Sequence, residues 1–226
     1  MAIIADTNAK IIFDTYAEMV TALTYLPDGV FAFCKENDNG YIKKVGSWVS
    51  ITGSGESPVI VYNQSTAAQG AGFATDTYLT GSSVLIPASS LKIGTRYHLV
   101  FDVSKSAAGI AAPVITVRFG TNGTISDAAR LTFTFTAQTA VADIGTLELW
   151  ITCRAVGSSA ILQGCAQLRH RLSITGLGNQ PGTTLQVTSG TFDSTIANSV
   201  IGVSVNGGAS AAWTVQLVQA KLENLS

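Results

Sequence analysis

The stretch from Tyr97 to Ile174 constrains this chain most, because it strings together segments that alternate apolar and polar residues. Tyr97–Val103, Val114–Phe119, Leu131–Thr136, Leu147–Thr152 and Ala166–Ile174 all read as strands. The clearest is Leu131-Thr-Phe-Thr-Phe-Thr136, where Leu131, Phe133 and Phe135 point one way and the threonines the other. Successive side chains leave a pleated backbone on opposite faces, so a period of two marks a half-buried strand. Gly, Pro, Asn, Asp and Ser fill the gaps, and these residues turn chains. Shorter runs of the same kind lie on either side: Val59–Tyr62, Leu85–Pro87, Thr184–Thr188, Ser199–Val205 and Trp213–Val218, with Ala160–Gln163 inside the stretch. About eight to ten short strands without intervening helices predict an antiparallel sandwich or barrel, with a jelly roll the first choice. There is no tandem repeat of fixed period, which argues against a propeller or a β-helix.

A different pattern precedes this region. Met1 to Ile12 reads as an extended arm, with the apolar pairs Ile3-Ile4 and Ile11-Ile12 around a polar Asp6-Thr-Asn8. Such an arm is loose unless a neighbour fixes it. Thr15-Tyr-Ala-Glu18 then forms a capping box, and Tyr16, Met19, Val20 and Leu23 recur at helical spacing as one apolar stripe. Pro27-Asp28-Gly29 ends the helix. Val30–Cys34 and Tyr41–Val45 read as a hairpin closed by Asn39-Gly40, and Trp48-Val49 as a further short strand. Gly53-Ser-Gly-Glu-Ser-Pro58 is the one flexible linker. The expected chain is therefore mainly β: residues 1–55 form an extended arm plus a small α+β domain, and residues 56–226 an antiparallel, jelly-roll-like β-sandwich.

Composition narrows the setting. Charged residues make up 12% of the chain, roughly half the usual ~25%, while apolar content is an ordinary 46%. The surface must then be built from Thr, Ser, Asn, Gln, Gly and Ala, which suits lasting protein–protein contact better than life as a dispersed monomer. A net charge of −1 gives no pull toward nucleic acid or an anionic membrane. The one basic cluster, Arg169-His170-Arg171, places its arginines on the solvent side of a strand. No apolar run is long enough to cross a membrane as a helix, and the start of the chain lacks the pattern of a secretory signal. The three cysteines, Cys34, Cys153 and Cys165, lack C-x-x-C spacing and read as small apolar strand residues. Whether Cys153 and Cys165 meet across a hairpin is left open by the sequence.

Catalytic constellations are not apparent. The two histidines, His98 and His170, each sit in a strand without metal-ligand spacing, so no metal and no cofactor is expected. No G-x-S-x-G elbow occurs, no cysteine has a base nearby, and of the carboxylates weighed for a glycosidase pair Asp127, Asp143 and Asp193 lie in turns while Glu148 faces out beside Trp150. Tyr62, Phe73, Tyr78 and Trp150 are candidates for stacking on a sugar, with Tyr62, Tyr78 and Trp150 the preferred glycan contacts. Packing in a core or a subunit interface is the competing explanation for each.

Several motifs together resemble a β-domain of tailed-bacteriophage virion proteins. They are Leu79-Thr-Gly81, Ile86-Pro87, Ile93-Gly-Thr-Arg-Tyr97, Ser104-Lys-Ser-Ala-Ala-Gly109, Ala112-Pro113, Val117-Arg-Phe-Gly-Thr-Asn-Gly123, Asp127-Ala-Ala129, Thr139-Ala140, Asp143-Ile-Gly145 and Arg154. The block Tyr16-Ala-Glu-Met-Val20, Asp28-Gly29 and Gly46-Ser-Trp-Val49 is similar to the small domain that begins many phage fibres and spikes. The resemblance implies a homotrimeric jelly roll displayed on a virion, as a head decoration, head fibre or short tail fibre, and it carries over no catalytic residue. Its implied partners are phage capsid or tail proteins, met through an anchor for which Ile3, Ile4, Ile11, Ile12 and Phe13 are the candidates. A host-surface glycan is the alternative ligand, and an enzyme acting on polysaccharide the least favoured reading.

Overall fold

A computed structural model describes residues 11–22, 26, 30–34, 39–44, 47–50, 59–70, 73–87, 90–208 and 212–225. The chain divides into two compact units, Met1–Ser57 and Pro58–Ser226.

In the first unit, β1 (Ile11–Phe13), α1 (Tyr16–Thr21), β2 (Phe31–Cys34), β3 (Asn39–Lys44) and β4 (Ser47–Ser50) follow one another. The sheet order is β1-β2-β3-β4. β1 lies parallel to β2, which requires a crossover, and α1 sits in it. Thr15 starts the helix from an extended backbone, its hydroxyl accepting from the Glu18 amide at 3.2 Å. Met19 and Ala22 then pack on Phe13, Ala32, Cys34 and Tyr41. Trp48 closes this core edge-on to Phe13, and its indole N–H donates to the Met19 carbonyl at 2.7 Å. Lys43 is buried and reaches the Leu26 carbonyl.

Two expectations change here. The helix ends at Thr21 and buries Met19, whereas Val20 faces solvent; Leu23 lies outside the described residues. So short a helix presents only a narrow line to the sheet. Phe13 is 3% exposed and belongs to this unit's own core, because β1 pairs with β2 and does not continue an arm. Ile3 and Ile4 lie outside the described residues.

Among the described residues, apolar side chains on the other face of the small sheet are exposed. Phe31 and Phe33 are 53% and 37% exposed. Phe31 stands opposite Ile42 and Phe33 opposite Ile12, and both isoleucines are half-buried.

The second unit contains β5 (Val59–Ser65), β6 (Thr77–Tyr78), β7 (Val84–Leu85), β8 (Arg96–Lys105), β9 (Val114–Gly120), β10 (Ala128–Thr134), β11 (Asp143–Ala155), β12 (Ile161–His170), β13 (Thr183–Thr188), β14 (Val200–Asn206) and β15 (Trp213–Leu225). The larger sheet runs β13-β12-β11-β8-β15-β5, and the smaller β10-β9-β14-β6, with β7 also on β14. The pairings are antiparallel. Set the β12–β13 pair aside and count β6 and β7 as one position. The larger sheet then holds the first, eighth, third and sixth strands in that order, and the smaller the second, seventh, fourth and fifth. That order defines a jelly roll, and β12 and β13 widen one of its sheets. The expected mainly-β, antiparallel sandwich is what the chain forms.

One core fills the space between the sheets. Tyr97, Leu99, Phe101 and Val103 of β8 face it, as do Leu147, Leu149 and Ile151 of β11 and Leu131 and Phe133 of β10. Phe135 joins them just beyond β10, as the alternation requires. A Cβ on Gly164 of β12 would lie 2.7 Å from Phe133 Cζ, so β12 approaches β10 only because that position has no side chain. β12 therefore runs unbroken where the sequence suggests two segments, and it stops at His170, short of Ile174. β15 continues seven residues past the expected Val218, since Ala220, Leu222 and Leu225 are also buried. Cys153 pairs with Leu162 and faces the core, while Cys165 pairs with Trp150 and faces out, so the two do not meet and both are free thiols.

Buried polar side chains pin the loops at one end of this unit. Lys105 donates to the carbonyls of Ser106, Thr139 and Val141 at 3.0, 2.7 and 3.4 Å. Gln138 donates to the Ala111 and Gly207 carbonyls and accepts from the Trp213 indole at 2.7 Å. Asp143 accepts from the Leu172 and Leu177 amides and meets His170 Nδ1 at 2.8 Å. Ile110, Val141 and Ile174 project from the loops so held.

Candidate functional site

Strand alternation builds the outer face of the larger sheet. Where Tyr97, Leu99 and Phe101 turn inward, Arg96, His98 and Val100 must turn outward, and the same holds for Glu148, Trp150 and Thr152 between the leucines and isoleucine of β11. Register then aligns one row across the sheet: Tyr62, Lys221, His98, Trp150, Cys165 and Gln186 are successive cross-strand neighbours. Tyr62 is 73% exposed. Three strand spacings, about 14 Å, separate it from Trp150.

Within the row, His98 and Trp150 stack with centroids 5.7 Å apart and planes at 12°. His98 Nε2 is held 2.8 Å from Glu148 Oε1, and Glu148 Oε2 lies 3.7 Å from Arg169. These contacts fix the imidazole flat against the indole. Shallow depressions flank the stack. One of ≈ 560 Å³ is lined by Tyr62, Gln64, His98, Gln219 and Lys221. The other, of ≈ 230 Å³, is lined by Arg96, Trp150, Arg154, Gln163, Cys165 and Gln186. Lys221 pairs with Glu223 at 3.2 Å. Such a face can stack on a ring and exchange hydrogen bonds with hydroxyl groups.

The remaining candidates fall elsewhere. Phe73 is fully buried in the core. Tyr78 does not offer its phenol to a ligand: the hydroxyl is buried, has no hydrogen-bond partner among the described residues, and is packed over Gly202, where a Cβ would lie 1.9 Å from it. Burial, then the Asp127 carboxylate, push its pKa up to about 12, against the opposing pull of Arg118. Its strand is two residues long, too short for alternation to reveal the facing side. Of the anchor candidates, Ile12 lies beside exposed Phe33 and Phe13 is internal. Arg96 and Arg154 were absent from the sequence's candidates, and His98 and Glu148 were weighed there only for metal or acid chemistry. Their faces were readable from alternation, but their shared location depends on β8, β11 and β15 being neighbours.

The His170–Asp143 pair has the look of a catalytic dyad, yet it is buried and its Nε2 is engaged by the Gln180 carbonyl at 3.1 Å. Neither ring nitrogen is free to serve a nucleophile. Among the described residues, no three His, Cys, Asp or Glu side chains converge on a common point suited to a metal ion.

The second unit thus belongs to the class of jelly-roll β-sandwiches. No protein-family model matches the chain, and no curated protein does. Among solved structures it is similar to the CBM2 module of the evolved Dit of Lactobacillus casei BL23 phage J-1. That match has 12% identity and a TM-score of 0.24, covering 76% of this chain and 94% of that one. It is also similar to the D431N mutant VP2 protein of infectious bursal disease virus, with 12% identity and a TM-score of 0.23 over 82% of this chain and 45% of that one. The chain thus spans less than half the length of that VP2.

Proposed function

We propose that this chain is a non-enzymatic structural protein of a tailed-phage particle, a capsid decoration or a short head or tail fibre. The first unit docks on a capsid or tail protein and the jelly-roll unit is displayed at the virion surface. One observation carries the reading: α1 covers one face of the small sheet, and on the other Phe31 and Phe33 stand exposed. An apolar sheet face left to water is a docking surface in want of a partner, and full burial of each phenylalanine stabilises a contact by about 1.5–3 kcal/mol. The resemblance of the sequence to phage virion proteins supplies the partner's class.

The test is particle incorporation of a Phe31→Asp/Phe33→Asp variant. Both side chains are on the surface, so the variant keeps its circular dichroism spectrum. Wild-type chain is expected in purified particles, and the variant is expected to stay in the soluble fraction of the lysate. Incorporation of the variant at the wild-type level would end this docking assignment.

A second reading is favoured by the row from Tyr62 to Trp150. On that reading the displayed sheet binds a saccharide of the host surface, with the aromatic rings as stacking platforms.

A further inference from the structure

We infer that the corner of the larger sheet around Trp150 takes a negatively charged saccharide. Its sugar ring lies against the indole, and its carboxylate or phosphate lies between the Arg96 and Arg154 guanidiniums. The inference rests on the second reading above and gives that site its ligand class.

Charge is scarce in this chain, with 13 Lys and Arg among 226 residues, so the place where cations go unanswered is informative. Most described cations have an internal role. Lys105 holds loop carbonyls, Arg118 meets Asp76, Arg169 reaches Glu148, Lys221 pairs with Glu223, and Arg130 lies 4.7 Å from the Phe192 ring centre. Among the described cations Lys92, Arg96, Arg154 and Arg171 lack such a contact, and Arg96 and Arg154 are the two that share a depression. Among the described residues neither side chain makes a hydrogen bond or ion pair, although both line the depression beside Trp150. Glu223 stands opposite Arg96 across β15, but its carboxylate is turned to Lys221 at 3.2 Å.

Geometry brings the two arginines together. Arg96 faces outward opposite Thr152, one outward position along β11 from Trp150. Arg154 follows on the same strand as the next outward position after Thr152, at a register shift between Cys153 and Ala155, and lines the same depression. The indole is covered by His98 on the β8 side, and the depression opens on the β12 side, where Gln163 and Gln186 present amides. An apolar sugar face fits the indole, the amides suit hydroxyl groups, and a guanidinium fork matches the two oxygens of a carboxylate or phosphate.

The test is a glycan array carrying neutral, uronic-acid and phosphate-bearing bacterial oligosaccharides, read with the full chain and with Arg96→Gln/Arg154→Gln. Arg154 and Arg96 are exposed, so the variant folds. Retention restricted to acidic members is expected, weakened at least about tenfold in the variant and by added salt. Preference between the uronate and phosphate arms identifies the anionic group. Equal retention of neutral saccharides, unchanged in the variant and lost in Trp150→Ala, would overturn the charge inference and leave the sheet-face reading standing. Silence across the whole array would remove both.

Discussion

At the scale of single residues, Asp127 shows how a turn residue becomes structural. Its carboxylate is buried and accepts from the Asn122 amide and side chain at 3.0 Å each and from the Gly123 amide at 2.7 Å. Burial alone would raise its pKa, but the hydrogen bonds from Asn122, Gly123 and Thr124 outweigh it and hold the carboxyl below its ordinary 3.8. A carboxylate depressed in the folded state adds stability above the unfolded value, and that contribution disappears as pH falls through the folded one. Asp127→Asn is therefore expected to lower stability at neutral pH by about 1–3 kcal/mol. Its urea midpoint should also fall less than that of the wild type between about pH 4 and pH 2. A parallel acid profile for the two proteins would show that Asp127 is not a source of the acid sensitivity. The sequence marked Asp127 as a turn residue, and alternation put Leu131, Phe133 and Phe135 inside. What it did not show was the burial of Asp127: its donors Asn122 and Gly123 lie in the same turn, but the carboxylate is also packed over Gly120 at the end of β9, a contact that turn chemistry alone does not reveal.

At the scale of elements, strands were legible and their neighbours were not. Tyr97–Val103 and Leu147–Thr152 were readable because each buries one face, yet a period of two carries no record of which strand lies alongside. The pairing of β15 with β8, more than a hundred residues apart, is what completes the jelly-roll order. The extra hairpin strand β12 depends on a missing side chain. Gly164→Ala would place a methyl 2.7 Å from Phe133 Cζ and from Ile151 Cδ1, and 2.8 Å from Leu131 Cδ1. Overpacking of this kind costs about 1–3 kcal/mol. Phe133→Leu should relieve part of that cost, so urea unfolding of the two single variants and the double is expected to show favourable coupling. Strict additivity would mean that the strain is taken up by Leu131 or Ile151 instead.

At the scale of the whole molecule, the sparse charge and the exposed Phe31 and Phe33 argue for assembly. The expectation of a homotrimer predicts that light scattering of the purified full chain returns about three times 23.5 kDa at micromolar concentration. A mass of one chain would remove the trimer from the proposed function. The pinned end of the jelly-roll unit bears on a different matter, how the protein can vary. Lys105, Gln138 and Asp143 hold their loops through main-chain atoms, which every amino acid carries. The projecting side chains of Ile110, Val141 and Ile174 take no part in that holding. A lineage under pressure to change what it presents can rewrite those tips residue by residue, while the frame beneath them keeps its shape.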